Sequence, residues 1–165
     1  MKILFIQTGG SIDKDYPKKV MGYHFELGKP AFKAILKKIN PCFKFESITA
    51  FKKDSLDMTE KDRDKLYTIC MKSNHDKIVI THGTDTMVKT ARVLSAIKNK
   101  AIILTGALKP EKFYESEADF NLGVAVGAVN TLQNGVYIAM NGRVYDWDKC
   151  HKDQKTAQFV EGTSD

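Results

Sequence analysis

The run Lys77-Ile78-Val79-Ile80-Thr81-His82-Gly83-Thr84-Asp85-Thr86-Met87 decides the fold. Its first five residues are rich in β-branched side chains and read as a buried strand. A short turn of small and polar residues follows. From Thr84 to Ile97 the pattern becomes helical, with Met87, Ala91 and Leu94 on one stripe. A strand that feeds a helix through so short a turn is the opening of a βαβ unit.

The same alternation extends to both sides. Upstream, Lys2 to Gln7 reads as a strand, and Pro30 to Ile39 as a helix with proline in its first turn and Phe32, Ile35, Leu36 and Ile39 on one face. Phe43 to Phe51 is a second strand. Thr59 reads as an N-cap, with Glu60 and Asp62 in the first turn where carboxylates favour the helix dipole. That helix is expected to run to about Ser73 and to bury Leu66, Ile69 and Cys70. Downstream come a strand at Ala101–Leu104, a helix at Asp119–Leu132 and a strand at Gly135–Met140. Asn141-Gly142 signals a tight hairpin turn, so Arg143 to Tyr145 is expected to return antiparallel. The polar tail after Trp147 reads as a loop.

This alternation predicts an α/β fold: a three-layer αβα arrangement with a mostly parallel sheet and a C-terminal hairpin. A flavodoxin-like winding, with strand order 2-1-3-4-5, would set the first and third strands on either side of the switch point where ligands bind. No internal repeat, low-complexity segment or linker interrupts the chain, and 165 residues suit one domain.

Composition narrows the function classes. The apolar run near the start ends at Gln7, short of the roughly 20 residues that span a bilayer and of a secretory leader's apolar region. A cytoplasmic location is the expectation. Cys42, Cys70 and Cys150 are widely spaced and lack a CxxC pattern, so no disulfide framework or zinc site is read from them; Cys42 and Cys70 are expected to be buried thiols. His24, His75, His82 and His151 show no metal-ligand spacing. The net charge of +6 is spread over isolated pairs such as Lys18-Lys19, Lys37-Lys38 and Lys52-Lys53. With no basic block and no interleaved aromatics, neither nucleic acid nor a membrane is expected as a partner.

Chemistry is expected in the turns after the strands. Thr8-Gly9-Gly10-Ser11-Ile12 follows the first strand and offers a hydroxyl on a backbone that a ligand can approach closely. Alone it would be a plain turn. Thr84 and Asp85 place a hydroxyl and a carboxylate together at a helix start, where capping is the simpler reading. Thr105-Gly106-Ala107 is a third turn of the same kind. Three such turns in one short domain favour a site over three accidents. Asp13 and Glu26 read as solvated loop acids, and Trp147 as an aromatic covering the sheet edge.

These segments resemble the L-asparaginase family. Thr8-Gly9-Gly10-Ser11-Ile12 resembles the family's TGGTI signature, and His82-Gly83-Thr84-Asp85-Thr86-Met87 matches HGTDTM. Thr105-Gly106-Ala107 with Pro110, and Phe120-Asn121-Leu122, look like its TGAMxP and FNL stretch. Met140-Asn141, with Lys152 twelve residues after Met140, fits its closing segment. The resemblance covers essentially the whole chain and implies a single N-terminal-type domain over residues 1–165, without the family's second domain.

The resemblance also implies roles. Ser11 stands where the family has its nucleophilic threonine. Tyr16, with Tyr23 as second candidate, fits the tyrosine of the loop over the nucleophile. Ser55, in Asp54-Ser55-Leu56-Asp57-Met58, falls where the substrate α-carboxylate binds, with Gly10 and Asp54 beside it. Asp85 would hold the α-ammonium, and Thr84, Asp85 and Lys152 resemble a second catalytic triad. The implied activity is hydrolysis of L-asparagine to L-aspartate and ammonia, with no metal or organic cofactor, in a homodimer or homotetramer. Two departures bear on this. Ser11 lacks the β-branch that restricts threonine's χ1, and Leu56 stands where some members carry a glutamine near the substrate. An amidase for glutamine or another small amide, or a non-catalytic amino-acid-binding module, are the alternatives.

Overall fold

The computed structural model describes residues 2–17 and 24–162; Tyr23 and the Lys18-Lys19 pair lie outside them. In chain order the elements are β1 (Lys2–Gly9), β2 (Lys14–Asp15), β3 (Glu26–Leu27), α1 (Ala31–Ile39), β4 (Lys44–Lys53), α2 (Glu60–Lys72), β5 (Lys77–Thr81), α3 (Met87–Leu94), β6 (Ala101–Thr105), α4 (Ala118–Thr131), β7 (Gly135–Met140), β8 (Arg143–Asp146), β9 (Cys150–Lys152) and β10 (Phe159–Glu161).

The main sheet has the order β4-β1-β5-β6-β7-β8. Its first five strands are parallel, and β8 returns antiparallel to β7. Counting only the parallel strands, the order is the expected 2-1-3-4-5. Side chains alternate across the sheet: Leu4 and Ile6 of β1 face the layer of α2 and α3, and Ile3 and Phe5 face the layer of α1 and α4. Both faces are therefore covered, which is why β1, β5 and β6 read as continuous apolar runs rather than alternating ones.

The hand of the crossovers is not uniform. α1 lies on one face as the chain steps outward from β1 to β4, whereas α2 and α3 lie on the other as it steps back across the sheet. Those three connections share one hand. β6–α4–β7 steps in the same direction as β5–α3–β6, yet α4 packs on the α1 face. Its hand is therefore opposite, and because right-handed crossovers are the rule, it is the left-handed exception. The consequence is local: residues 106–117 are carried to the α1 side, where Glu111 N donates to Ile12 O at 3.1 Å.

Most element boundaries agree with the sequence reading within a residue or two. The capping box of α2 is complete, with Thr59 and Asp62 each accepting from the other's backbone N–H. Four expectations need correction. The helix expected from Thr84 begins only at Met87, because Thr84, Asp85 and Thr86 all spend their side chains on distant partners. The tail is not a loop: β9 and β10 pair antiparallel, with Tyr145 Oη donating to Phe159 O at 2.8 Å. Cys42 is exposed, since it follows the end of α1 at Asn40-Pro41 instead of entering β4. Asp13 is buried, not solvated.

Candidate active site

Four chain turns meet beyond the carboxyl ends of β1, β4, β5 and β6, and they meet backbone to backbone. Gly10 has φ 85°, and a Cβ added there would fall 2.4 Å from the Cα and N of Gly83. Gly83 in turn lies close against the Ser55 side chain, whose Cβ and Oγ would lie 2.7 Å from an added Cβ. Only glycine permits such an approach. The two glycines thus stack the Ser11, Ser55 and Thr84 turns on one another.

Hydrogen bonds fix each turn. Gly10 N donates to Lys53 O at 3.0 Å, and Asp13 N to Gly10 O at 3.1 Å, shaping a 3₁₀ turn over Ser11–Asp13. Asp54 caps the next 3₁₀ turn, Ser55–Asp57, its Oδ1 accepting from Leu56 N at 3.3 Å. Thr86 Oγ1 donates to Ser55 O at 2.7 Å and ties that turn to the one after β5. Thr8 Oγ1 donates to Thr81 O at 2.9 Å, joining β1 to β5 at their ends.

One polar cluster joins residues 67 and 68 positions apart in sequence. Lys152 Nζ donates to Thr84 Oγ1 at 2.9 Å and to Asp85 Oδ1 at 2.6 Å. The lysine side chain is only 12 % exposed. It is aimed by a chain of contacts. Asn121 Nδ2 donates to Gly106 O at 3.0 Å, Asn141 N donates to Asn121 Oδ1 at 3.2 Å, and Phe159 N donates to Asn141 Oδ1 at 2.9 Å. Phe159 then pairs directly with Lys152 in the β9–β10 ladder. The asparagines of the FNL and Met140-Asn141 segments thus hold the strand that delivers the lysine.

The other expected residues are less uniformly placed. Ser55 is fully buried against Gly83, and its Oγ has no hydrogen-bond partner among the described residues. Ser11 is half-buried on its turn, and among the described residues its hydroxyl makes no hydrogen bond. Tyr16 is 68 % exposed and stands in an aromatic cluster with Phe25 at 5.5 Å and Phe113 at 6.4 Å. A cavity of about 780 Å³ lies on that side of the Ser11 turn, lined by Asp13, Lys14, Tyr16, Lys29 and Glu111 among others, but not by Thr84, Asp85 or Lys152.

Electrostatics separate structural from reactive groups. His82 is fully buried, and desolvation pushes it down to about 4, so the ring is neutral at pH 7. Its Nδ1–H donates to Gly83 O at 2.7 Å, which leaves Nε2 to accept from the Thr90 hydroxyl at 2.8 Å. Both nitrogens are occupied, so His82 shapes the turn. Asp54 is held below the usual carboxylate range, first by the Lys14 ammonium 2.9 Å away and then by the N–H groups of Leu56 and Ser55. Among the described residues, no group of three or more His, Cys, Asp or Glu could hold a metal. Lys14 is the residue that sequence reasoning missed, because nothing in the local pattern pairs it with Asp54. No described helix is long and apolar enough to cross a membrane.

Comparison with known proteins gives this arrangement a lineage. A family model described as "Asparaginase, N-terminal" matches residues 2–159. The glutaminase-asparaginase of Acinetobacter glutaminasificans is 26% identical over 155 residues, covering 87% of this chain and 47% of that protein. A glutamyl-tRNA(Gln) amidotransferase subunit of Methanococcus maripaludis is 42% identical over 81 residues, 48% of this chain and 19% of that one. The structure of the thermostable L-asparaginase from Thermococcus kodakarensis superimposes with a TM-score of 0.85 at 26% identity, covering 98% of this chain and 51% of that chain. The chain spans about half the length of the first of these relatives. A sheet of order 2-1-3-4-5, turns stacked through Gly10 and Gly83, and a match to the family's N-terminal model over residues 2–159 lead to one conclusion: the protein belongs to the asparaginase family.

Proposed function

We propose that this domain hydrolyses the side-chain amide of L-asparagine to L-aspartate and ammonia. The observation that carries the reading is the Lys152 ammonium bridging Thr84 Oγ1 and Asp85 Oδ1. A hydroxyl, a lysine and a carboxylate in contact, beside a buried Ser55 hydroxyl that has no partner among the described residues, are the parts that amide hydrolysis requires.

In this reading Ser11 Oγ attacks the amide carbonyl and its proton passes to a base. The amide nitrogen of the tetrahedral adduct takes up a proton and leaves as ammonia. Water then cleaves the serine ester and returns the hydroxyl proton. Lys152 serves as base only as the neutral amine, and Tyr16 does so only if its loop brings it to Ser11. Thr84 stands ready as the alternative nucleophile, already bonded to Lys152. Ser55 Oγ and the backbone beside Gly10 take the substrate α-carboxylate, and Asp85 takes the α-ammonium. No step calls for a metal or organic cofactor. We read residues 1–165 as one N-terminal-type domain that assembles as a homodimer or homotetramer. A cytoplasmic location suits its three free cysteines.

One observation favours a second reading. Ser11 has no hydrogen-bonded base among the described residues, which favours a site that holds an amino acid without turning it over. Ammonia release from L-asparagine and L-glutamine by wild type, Ser11→Ala and Thr84→Val separates the two. Asparagine-dependent release lost in both variants supports the hydrolase. No release by wild type, together with a melting temperature raised by aspartate, makes it a binding module.

A further inference from the structure

We propose that Lys14 and Asp54 form an ionic clamp that holds the Ser11 turn in register with the Ser55 turn, with Lys14 as a positioning residue for Ser11; the proposal rests on the hydroxyl-nucleophile reading above. The Ser11 hydroxyl has no hydrogen bond of its own among the described residues, so its position depends on how its turn is tied down. At one end the turn is held by Gly10 N on Lys53 O. At the other, Asp13 Oδ1 accepts from Ala31 N at 2.7 Å. The first contact ties the start of the turn to the residue before Asp54, and the second leads away to the start of α1, so neither ties the end of the turn to the Ser55 loop.

Lys14 does. It immediately follows the turn, is oriented by its pairing with Leu27 in the β2–β3 ladder, and places Nζ 2.9 Å from Asp54 Oδ2. Asp54 uses its other carboxylate oxygen on Leu56 N, the bond that shapes the turn presenting Ser55. One carboxylate therefore joins the loop of the proposed nucleophile to the loop of the proposed carboxylate site, and Thr86 Oγ1 continues the link to the Thr84 turn through Ser55 O. The two side chains are 28% and 30% exposed. That burial sets the pair apart from freely solvated surface pairs, whose coupling is small. Asp54 acts, on this account, through the shape of the Ser55 turn.

The variants isolate the charge. Asp54→Asn keeps an oxygen for Leu56 N but loses the ion pair. Lys14→Met keeps most of the stem but loses the ammonium, and Lys14→Arg keeps the charge. Steady-state kinetics on L-asparagine and amide hydrogen exchange at residues 11–14 are measured on each, and on the Lys14→Met/Asp54→Asn double variant. Each charge-removing single change is expected to lower kcat/KM about tenfold, chiefly in kcat, since small misplacement of a reacting group is costly. The double variant is expected to be no worse than the worse single one, as for partners in one interaction. Lys14→Arg restores most of the rate, and exchange at residues 11–14 quickens in both singles. Losses that multiply, or exchange unchanged in Lys14→Met, overturn the clamp. If wild type hydrolyses no amide but exchange quickens in both singles, the hydrolase reading falls and the clamp stands. If wild type is active and the variants match it in rate and exchange, the clamp falls and the reading stands.

Discussion

Replacing Asp13 by asparagine should make the protein more stable than wild type at neutral pH and remove a pH dependence that wild type shows. Asp13 ends the turn that begins at Ser11 and is almost wholly buried. One of its oxygens accepts from Ala31 N, and the other has no partner among the described residues. Burial pushes its carboxyl from 3.8 up to about 6, only partly opposed by the Ala31 amide, Gln7 and Lys52. Below pH 3.8 the folded and unfolded chains are both protonated at this group. Between 3.8 and about 6 the unfolded chain gives up its proton while the folded one keeps it, so stability falls as pH rises. The slope is about 1.4 kcal/mol per pH unit, and the whole window is worth roughly 3 kcal/mol. Above about 6 the loss is complete and constant. Asparagine keeps an acceptor for Ala31 N and does not ionise. Urea unfolding of both proteins across this pH range gives the difference directly, with contributions from other groups cancelling. The variant should gain roughly 3 kcal/mol on wild type between about pH 4 and pH 7. A difference equal at both ends would show that the carboxyl is not held neutral by burial.

Lys152→Met removes both bonds of the bridging ammonium and should lower kcat by about a hundredfold or more, with a smaller effect on KM; a change confined to KM would contradict a catalytic role. Gly83→Ala brings a methyl within 2.7 Å of Ser55 Cβ and Oγ. It should weaken aspartate binding, seen as a smaller ligand-induced rise in melting temperature, and aspartate binding equal to wild type would refute the stacking of these turns. Thr59→Ala breaks the capping box of α2 and should cost about 1 kcal/mol in urea unfolding, leaving ammonia release unchanged.

Much of this protein was legible in the chain itself. Periodicity reports local backbone and which face is buried, so β1, β4 to β7, α1, α2 and α4 could be read close to their observed limits, as could the Asn141-Gly142 hairpin. The small-residue turns after three strands marked where a site would form, because three of them gather at the carboxyl ends of strands in one parallel sheet, where ligands bind. The hand of the β6–α4–β7 crossover had no such signal, since it depends on which face α4 covers. Nor did the burial of Asp13, which follows from residues 106–117 and α1 closing over its turn. Thr84 and Asp85 each had a capping reading that local sequence could not dismiss. What decided against it was Lys152, reaching them from 68 and 67 residues away on a strand the sequence showed only as a polar tail. Lys14 and Asp54, 40 residues apart, met for the same reason. The sequence by itself determined the parallel strands β1 and β4 to β7 and the helices α1, α2 and α4, because each is encoded within a few turns of chain. Only the tertiary structure decided which charged groups pair, because the stacking of turns on Gly10 and Gly83 and the anchoring of β9 through Asn121 and Asn141 bring the partners together, a geometry that no local pattern records.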